Sequence, residues 1–266
     1  MILFSLRRRS AAFAVAAALV VLRIAWRSTA GMCGSMTMPE CLAMATALVV
    51  AASLVAVAVR AGMLAAGASR ALTALQRDPV PGPLAAAARR AGVRRLVCLA
   101  GGEPSAFCAG PFRPRVYVTT GLADALAADE LAAVLVHEQA HARRRDPLRR
   151  LLAHAATDVL VYLPLCGWWW RRQAEDAELR ADRAAIERVG RRAVARALFA
   201  LDGSGSRVPA GAAFEGAGRA RVAQLLGDEV PRLRPPAGLT ALSALGLVVA
   251  TSLLMCVGQT LGSWLM

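Results

Sequence analysis

The sequence predicts a mainly α-helical protein with a small β-sheet, an α+β domain held in a membrane by several helical spans. Three observations predict it. Hydrophobic residues make up 57% of the 266 positions and the mean hydropathy is +0.47, above the composition of an ordinary soluble domain. The excess is concentrated in three apolar runs, residues 10–26, 39–59 and 238 to about 265, each near the roughly 20 residues that a bilayer-spanning helix needs. Between the last two runs, helical periodicity dominates and only short β-branched stretches interrupt it.

The first run is short and carries Arg23 near its end, where a long side chain can snorkel to the headgroups. Arg7, Arg8 and Arg9 precede it, so an uncleaved signal anchor is expected. The alternative is a cleaved signal peptide with Ser28-Thr29-Ala30 at its processing site. After the second span, residues 62–75 read as a helix leaving the membrane, and Asp78-Pro79-Val80-Pro81-Gly82-Pro83 breaks it. A folded domain is expected to begin there. A short helix at 84–91 ends at Gly92, and residues 93–99 have the branched apolar content of a strand. Residues 106–109 and 115–120 read as two further strands, a hairpin through 111–114, giving a sheet of about three strands.

Asp129 is a good N-cap for a helix in which Leu131, Val134, Leu135 and Glu138 recur at helical spacing, closed by Arg143, Arg144 and Arg145. Asp146 is expected to cap the next helix, with Pro147 at its first position. The apolar stretch that follows ends in Trp168-Trp169-Trp170-Arg171-Arg172, a belt composition that predicts a membrane-interfacial helix over about 148–170. Residues 173–189 and 191–201 read as helices, 203–218 as a Gly-rich loop, and 219–226 as the approach to the last span. The expected organisation is two spans within 1–60, a cytoplasmic domain over 61–237 and a third span within 238–266.

Orientation follows from arginine. All but five of the 32 basic residues lie between positions 60 and 237, and basic residues near span ends stay on the cytoplasmic side. A multi-pass protein of the plasma membrane with its central domain in the cytoplasm is therefore expected. The formal net charge of +14 favours anionic lipid headgroups as a partner over nucleic acid, because basic groups beside spans commonly bind such lipids. Six cysteines show no C-x-x-C pair. Cys33 and Cys41 could pair in the outer loop, while Cys98, Cys108, Cys166 and Cys256 read as packing.

The chemistry lies in His137-Glu138-Gln139-Ala140-His141, an H-E-x-x-H pattern. Residues four apart share one helix face, so both imidazoles can hold one zinc ion. Two imidazoles leave room for a third protein ligand and a water, whose pKa zinc brings toward about 7. Glu138, one step round the helix, is placed to take the water's proton and pass it to a leaving amine. The extended pattern with a third histidine fails, since position 144 is Arg and position 147 is Pro. His154 reads as a packed histidine or a helper near the site. Glu178 is the better candidate for the third ligand, with Asp182 one turn on and placed to orient a ligating imidazole. Glu175 and Asp176 compete with it, and helix charges paired with Arg180 and Arg183 are the plainer reading.

From Phe107 to Asp182 the chain resembles the membrane metallopeptidases of the BlaR/MecR antirepressor type, which are related to the HtpX-like proteases. The resemblance rests on Ala106-Phe-Cys-Ala-Gly110, Pro114-Arg-Val-Tyr-Val-Thr-Thr-Gly-Leu122, the helix from Asp129 to His141 with Arg-Arg-Arg-Asp146, Pro164 with the tryptophans, and Glu178-x-x-x-Asp182. It implies that Glu178 completes the zinc site, one ion per chain, with Asp182 behind it. It also implies a compact gluzincin-type fold in which the strand near 115–120 offers an edge to the substrate backbone. The implied activity is endopeptidase cleavage of a protein near the membrane, a transcriptional repressor being one such substrate. A quality-control protease for membrane proteins and an inactive signalling scaffold are the alternatives. No penicillin-binding domain follows the third span, so direct β-lactam sensing is not expected.

Overall fold

The computed structural model of the chain describes residues 37–203, 214–228 and 234–263. The expected first span at 10–26, and Cys33, lie outside the described residues. In chain order the elements are α1 (Met38–Thr73), β1 (Arg77–Asp78), α2 (Gly82–Ala91), β2 (Leu96–Leu99), β3 (Ala106–Ala109) and β4 (Arg115–Thr119). Then come α3 (Thr120–Ala125), α4 (Ala128–Arg144), α5 (Asp146–Val159), α6 (Pro164–Val189), α7 (Arg191–Gly203), α8 (Phe214–Leu226) and α9 (Ala237–Ser263). The protein is mainly helical with one small mixed sheet.

The chain divides into two compact units. The first takes in residues 1–66, 152–170 and 234–266. Among the described residues, α1 and the stretch Ala237–Met255 of α9 are long and apolar enough to cross a bilayer. Ala45 and Val49 pack against Leu254, with Tyr162 alongside. Polar contacts add direction: Ser53 Oγ and Tyr162 OH lie 2.7 Å apart, and the Leu165 N–H donates to Ser243 Oγ at 3.0 Å. Gly246 must be glycine, because a Cβ there would meet the Tyr162 carbonyl oxygen at 1.9 Å. Arg60 is only 1% exposed, and its Nε and Nη2 donate to Asp158 Oδ2 at 3.0 and 2.7 Å. A charge in an apolar helix persists only with such a partner.

The second unit takes in residues 67–151 and 171–233. Its sheet has four strands in the order β1-β2-β4-β3, with β2 and β4 parallel and the other pairs antiparallel. The expected three strands gain β1, whose two residues Arg77 and Asp78 pair with Leu99 and Cys98. Period two sends Leu96, Cys98, Val116 and Val118 to one face, where they pack on Val134 and Leu135 of α4, Leu84 of α2 and Val194 of α7.

Several boundaries differ from expectation for local reasons. Residues 62–75 are no separate helix, since α1 runs unbroken to Thr73. The N-cap of α4 is Ala127, not Asp129, and its N–H donates to the Glu130 carboxylate at 3.1 Å. The apolar stretch 148–170 is not one helix. It breaks between Val159 and Pro164, and Pro164 starts a helix that carries the tryptophans straight on to Val189. Residues 214–218, expected in a loop, begin α8.

Candidate metal centre

The helix α4 presents His137 and His141 one turn apart on the same side, and Glu178 on α6 faces them. Their ligating atoms all lie within 4.8 Å of one another. His137 Nε2 is 3.1 Å from His141 Nε2, and the two nitrogens are 3.4 and 3.5 Å from the Glu178 carboxylate oxygens. The ring planes are 76° apart, and both Nε2 atoms meet beside the Glu178 carboxylate.

What holds them there is a set of buried carboxylates. His137 Nδ1 donates to Asp182 Oδ1 at 2.9 Å, and His141 Nδ1 donates to Asp146 Oδ2 at 2.8 Å. Both acids are almost wholly buried. With each Nδ1 proton tied to a carboxylate, each Nε2 is the nitrogen left facing Glu178, and once deprotonated it has its lone pair available to a cation. Asp182 stands one turn beyond Glu178 on α6, as its spacing requires. Asp146 reaches His141 because α4 ends at Arg145 in the left-handed conformation, φ 55°, which turns the chain back on itself. The capping role expected of Asp146 is thus replaced by a bond to the imidazole.

Two arginines complete the constellation. Arg221 of α8 donates through Nε and Nη2 to the two oxygens of Asp182 at 2.6 and 2.9 Å, with Nη1 3.8 Å from Glu178. The helix that carries it is tied to α6 by Gln224 Nε2 donating to the Leu179 carbonyl at 3.0 Å. Arg150 of α5 donates to Glu178 Oε1. Sequence reasoning missed Asp146 as a partner, and it missed Arg150 and Arg221 altogether. An acid five residues beyond the second histidine was the available signal for Asp146; spacing holds none for Arg221.

Glu138 lines the same cavity of about 430 Å³. The competing acids go elsewhere: Glu175 and Asp176 pair with Arg172 at 3.2 and 3.6 Å. His154 is exposed and does not line the cavity. Cys108 does line it, yet burial, with the Glu138 charge adding to it, pushes the thiol pKa up to about 12. The thiol stays protonated, in keeping with a packing role.

The electrostatics favour positive charge among these groups. Burial pulls the His137 pKa down, but bonds to Asp182 and Glu178 outweigh it and raise the pKa to about 9. His141 is likewise raised despite burial, through Asp146 and Glu178. Burial pushes Glu178 up, and the two imidazoles more than reverse it, holding the carboxyl well below the usual range. Two imidazoles and a carboxylate, with a position left for water, are a donor set that zinc takes in catalytic sites. The residues present fit that ion.

The cavity is lined by Ser105 and by Ala106, Phe107 and Cys108 of β3. This strand is the sheet's edge, whereas β4 lies between β2 and β3. The strand near 115–120 therefore has both neighbours already and offers no edge. Apolar side chains also line the cavity, Val134 of α4 and Val194, Ala197, Leu198 and Leu201 of α7.

Residues 7–217 match the family model described as BlaR1 peptidase M56. A stretch of 77 residues is 39% identical to the Protease HtpX homolog of Janthinobacterium sp. (strain Marseille), covering 28% of this chain and 27% of that protein. Over 77 residues the identity to the Protease HtpX homolog of Bordetella pertussis (strain Tohama I) is 42%, covering 28% and 26%. The chain spans about a quarter of the length of the curated relatives it matches.

Proposed function

The chain belongs to the BlaR1 peptidase M56 family, and from that premise we propose that it is a membrane-anchored zinc endopeptidase of multi-pass topology and gluzincin-type fold, acting on a protein at the cytoplasmic face. The observation that carries the reading is the pair of imidazoles whose Nδ1 atoms are pinned by Asp146 and Asp182, so that both Nε2 atoms meet Glu178.

His137, His141 and Glu178 would hold the ion. Bound zinc supplies a Lewis acid that polarises a carbonyl and acidifies water. Glu138 takes the proton of the attacking water and delivers it to the departing amine. Asp146 and Asp182 keep the imidazoles in one tautomer, and Arg221 holds Asp182 in place. A substrate strand adds to the free edge of β3, where backbone hydrogen bonds align the scissile bond and leave side chains to set specificity. The wall of Val134, Val194, Leu198 and Leu201 accepts an apolar side chain of middling size.

Glu138→Gln tests this. Zinc should stay stoichiometric while cleavage falls by about 10²–10⁴-fold, the usual contribution of a positioned proton-transfer group. Undiminished proteolysis ends the mechanism. A repressor is the substrate that the family resemblance favours. Comparing the proteomes of cells with the wild-type and Glu138→Gln chains separates a single target from the broad range of a quality-control enzyme.

A further inference from the structure

A second cavity, of about 300 Å³, lies away from the metal centre and is lined by Arg95, Leu96, Val97, Arg113 and Arg115. No acidic residue lines it. The fold brings the three arginines together. The Val116 N–H donates to the Arg95 carbonyl at 2.9 Å, which sets Arg95 beside the start of β4 where Arg115 stands. The β3–β4 turn supplies Arg113. Gly110 has φ 101°, and a Cβ there would lie 2.8 Å from the Arg113 carbonyl oxygen, so the turn is closed tightly around its glycine. All three arginines are exposed. Among the described residues none of their guanidinium groups has a hydrogen-bond or ion-pair partner. Beside Arg113 the turn projects Phe112, 72% exposed.

We infer that this cavity binds the phosphate diester of an anionic phospholipid, with Phe112 entering the headgroup layer beside it. Three like charges gathered around one cavity repel each other unless an anion joins them. The planar guanidinium fork matches phosphate oxygens in pairs. An acidic peptide would satisfy the charges but would leave the exposed Phe112 without a role. A bilayer interface supplies both chemistries side by side, a phosphate plane and an apolar layer beneath it. Among the described residues the chain also carries two helices long and apolar enough to cross a bilayer.

The test uses the full-length chain in a zwitterionic detergent, titrated with short-chain phosphatidylglycerol and read by native mass spectrometry. Each of Arg95→Gln, Arg113→Gln and Arg115→Gln should weaken binding about fivefold, and the triple variant about a hundredfold. The exposed set Arg89→Gln, Arg192→Gln and Arg196→Gln removes the same charge and should leave affinity within about twofold of wild type. Glu138→Gln should bind the lipid as the wild type does, which separates this site from the peptidase reading. Thermal melts show which variants are folded, and the single substitutions carry the test should the triple variant fail to fold. Equal loss in both triple sets overturns the proposal, since it would reflect net charge alone. Equal binding of phosphatidylcholine, tighter binding of inorganic phosphate than of the lipid, or displacement of the lipid by an equimolar acidic peptide each overturns it as well.

Discussion

Replacing Asp146 probes the least expected part of the centre. Its Oδ2 accepts the His141 Nδ1 proton at 2.8 Å, and only 2% of the residue is exposed, so water cannot substitute for it. Carboxylates placed behind a ligating imidazole are worth about 10–100-fold in metal affinity, or about 1.4–2.7 kcal/mol. Asn keeps an oxygen that can accept the same proton, but a neutral bond is about half as strong as a charge-assisted one. Asp146→Asn should therefore weaken zinc binding about tenfold, and Asp146→Ala, which keeps no acceptor, about a hundredfold. Competition with a chromogenic zinc chelator measures both. Because the loss acts on metal affinity, peptidase activity of Asp146→Asn should return toward wild type when zinc is raised well above its new Kd. The reasoning is refuted if Asp146→Ala holds zinc as tightly as the wild type.

Protons compete with zinc at this centre. In the metal-free protein His137 has its pKa raised to about 9 from an ordinary 6.5. Its stabilising contribution is fully present below pH 6.5 and is lost as pH rises through about 9. The melting temperature of the metal-free chain should fall across that window, while zinc affinity rises about tenfold per pH unit up to about 9 as a proton is displaced. A flat affinity between pH 7 and 9 would contradict the geometry. Asp182 is lowered by its imidazole and Arg221 partners against its burial, so its contribution is present above the ordinary carboxylate range and disappears as pH falls through its folded value. Arg221→Gln removes two bonds to Asp182 and should destabilise the metal-free protein by about 1.5–3 kcal/mol, read as a lower midpoint in denaturant, with zinc affinity falling in parallel.

The chain's local pattern made much of this site legible. Two histidines four apart on a helix share a face whatever surrounds them, and so do Glu178 and Asp182, because the helical period alone dictates it. The closing glycine of α2 was readable for the same kind of reason: Gly92 adopts φ 75° and its N–H bonds back to Ala88 and Arg89, a conformation that favours glycine. Strand neighbours were not legible. Alternation marks a strand and its two faces but says nothing of which strand lies beside it, so it could not correct the edge that the family resemblance implied for β4 and that β3 in fact occupies. The two residues of β1 are too few for any period to show.

Sequence by itself marked the candidate residues and determined which faces they share, since helical periodicity is set by bonds and dihedrals within a few residues. Tertiary structure decided that Glu178, rather than Glu175 or Asp176 on the same helix, meets the imidazoles. It also decided that Asp146 turns back through Arg145 to His141, and that an arginine on α8 grips Asp182. Those meetings depend on how helices pack side by side, and packing is governed by the shape and burial of surfaces that lie far apart along the chain.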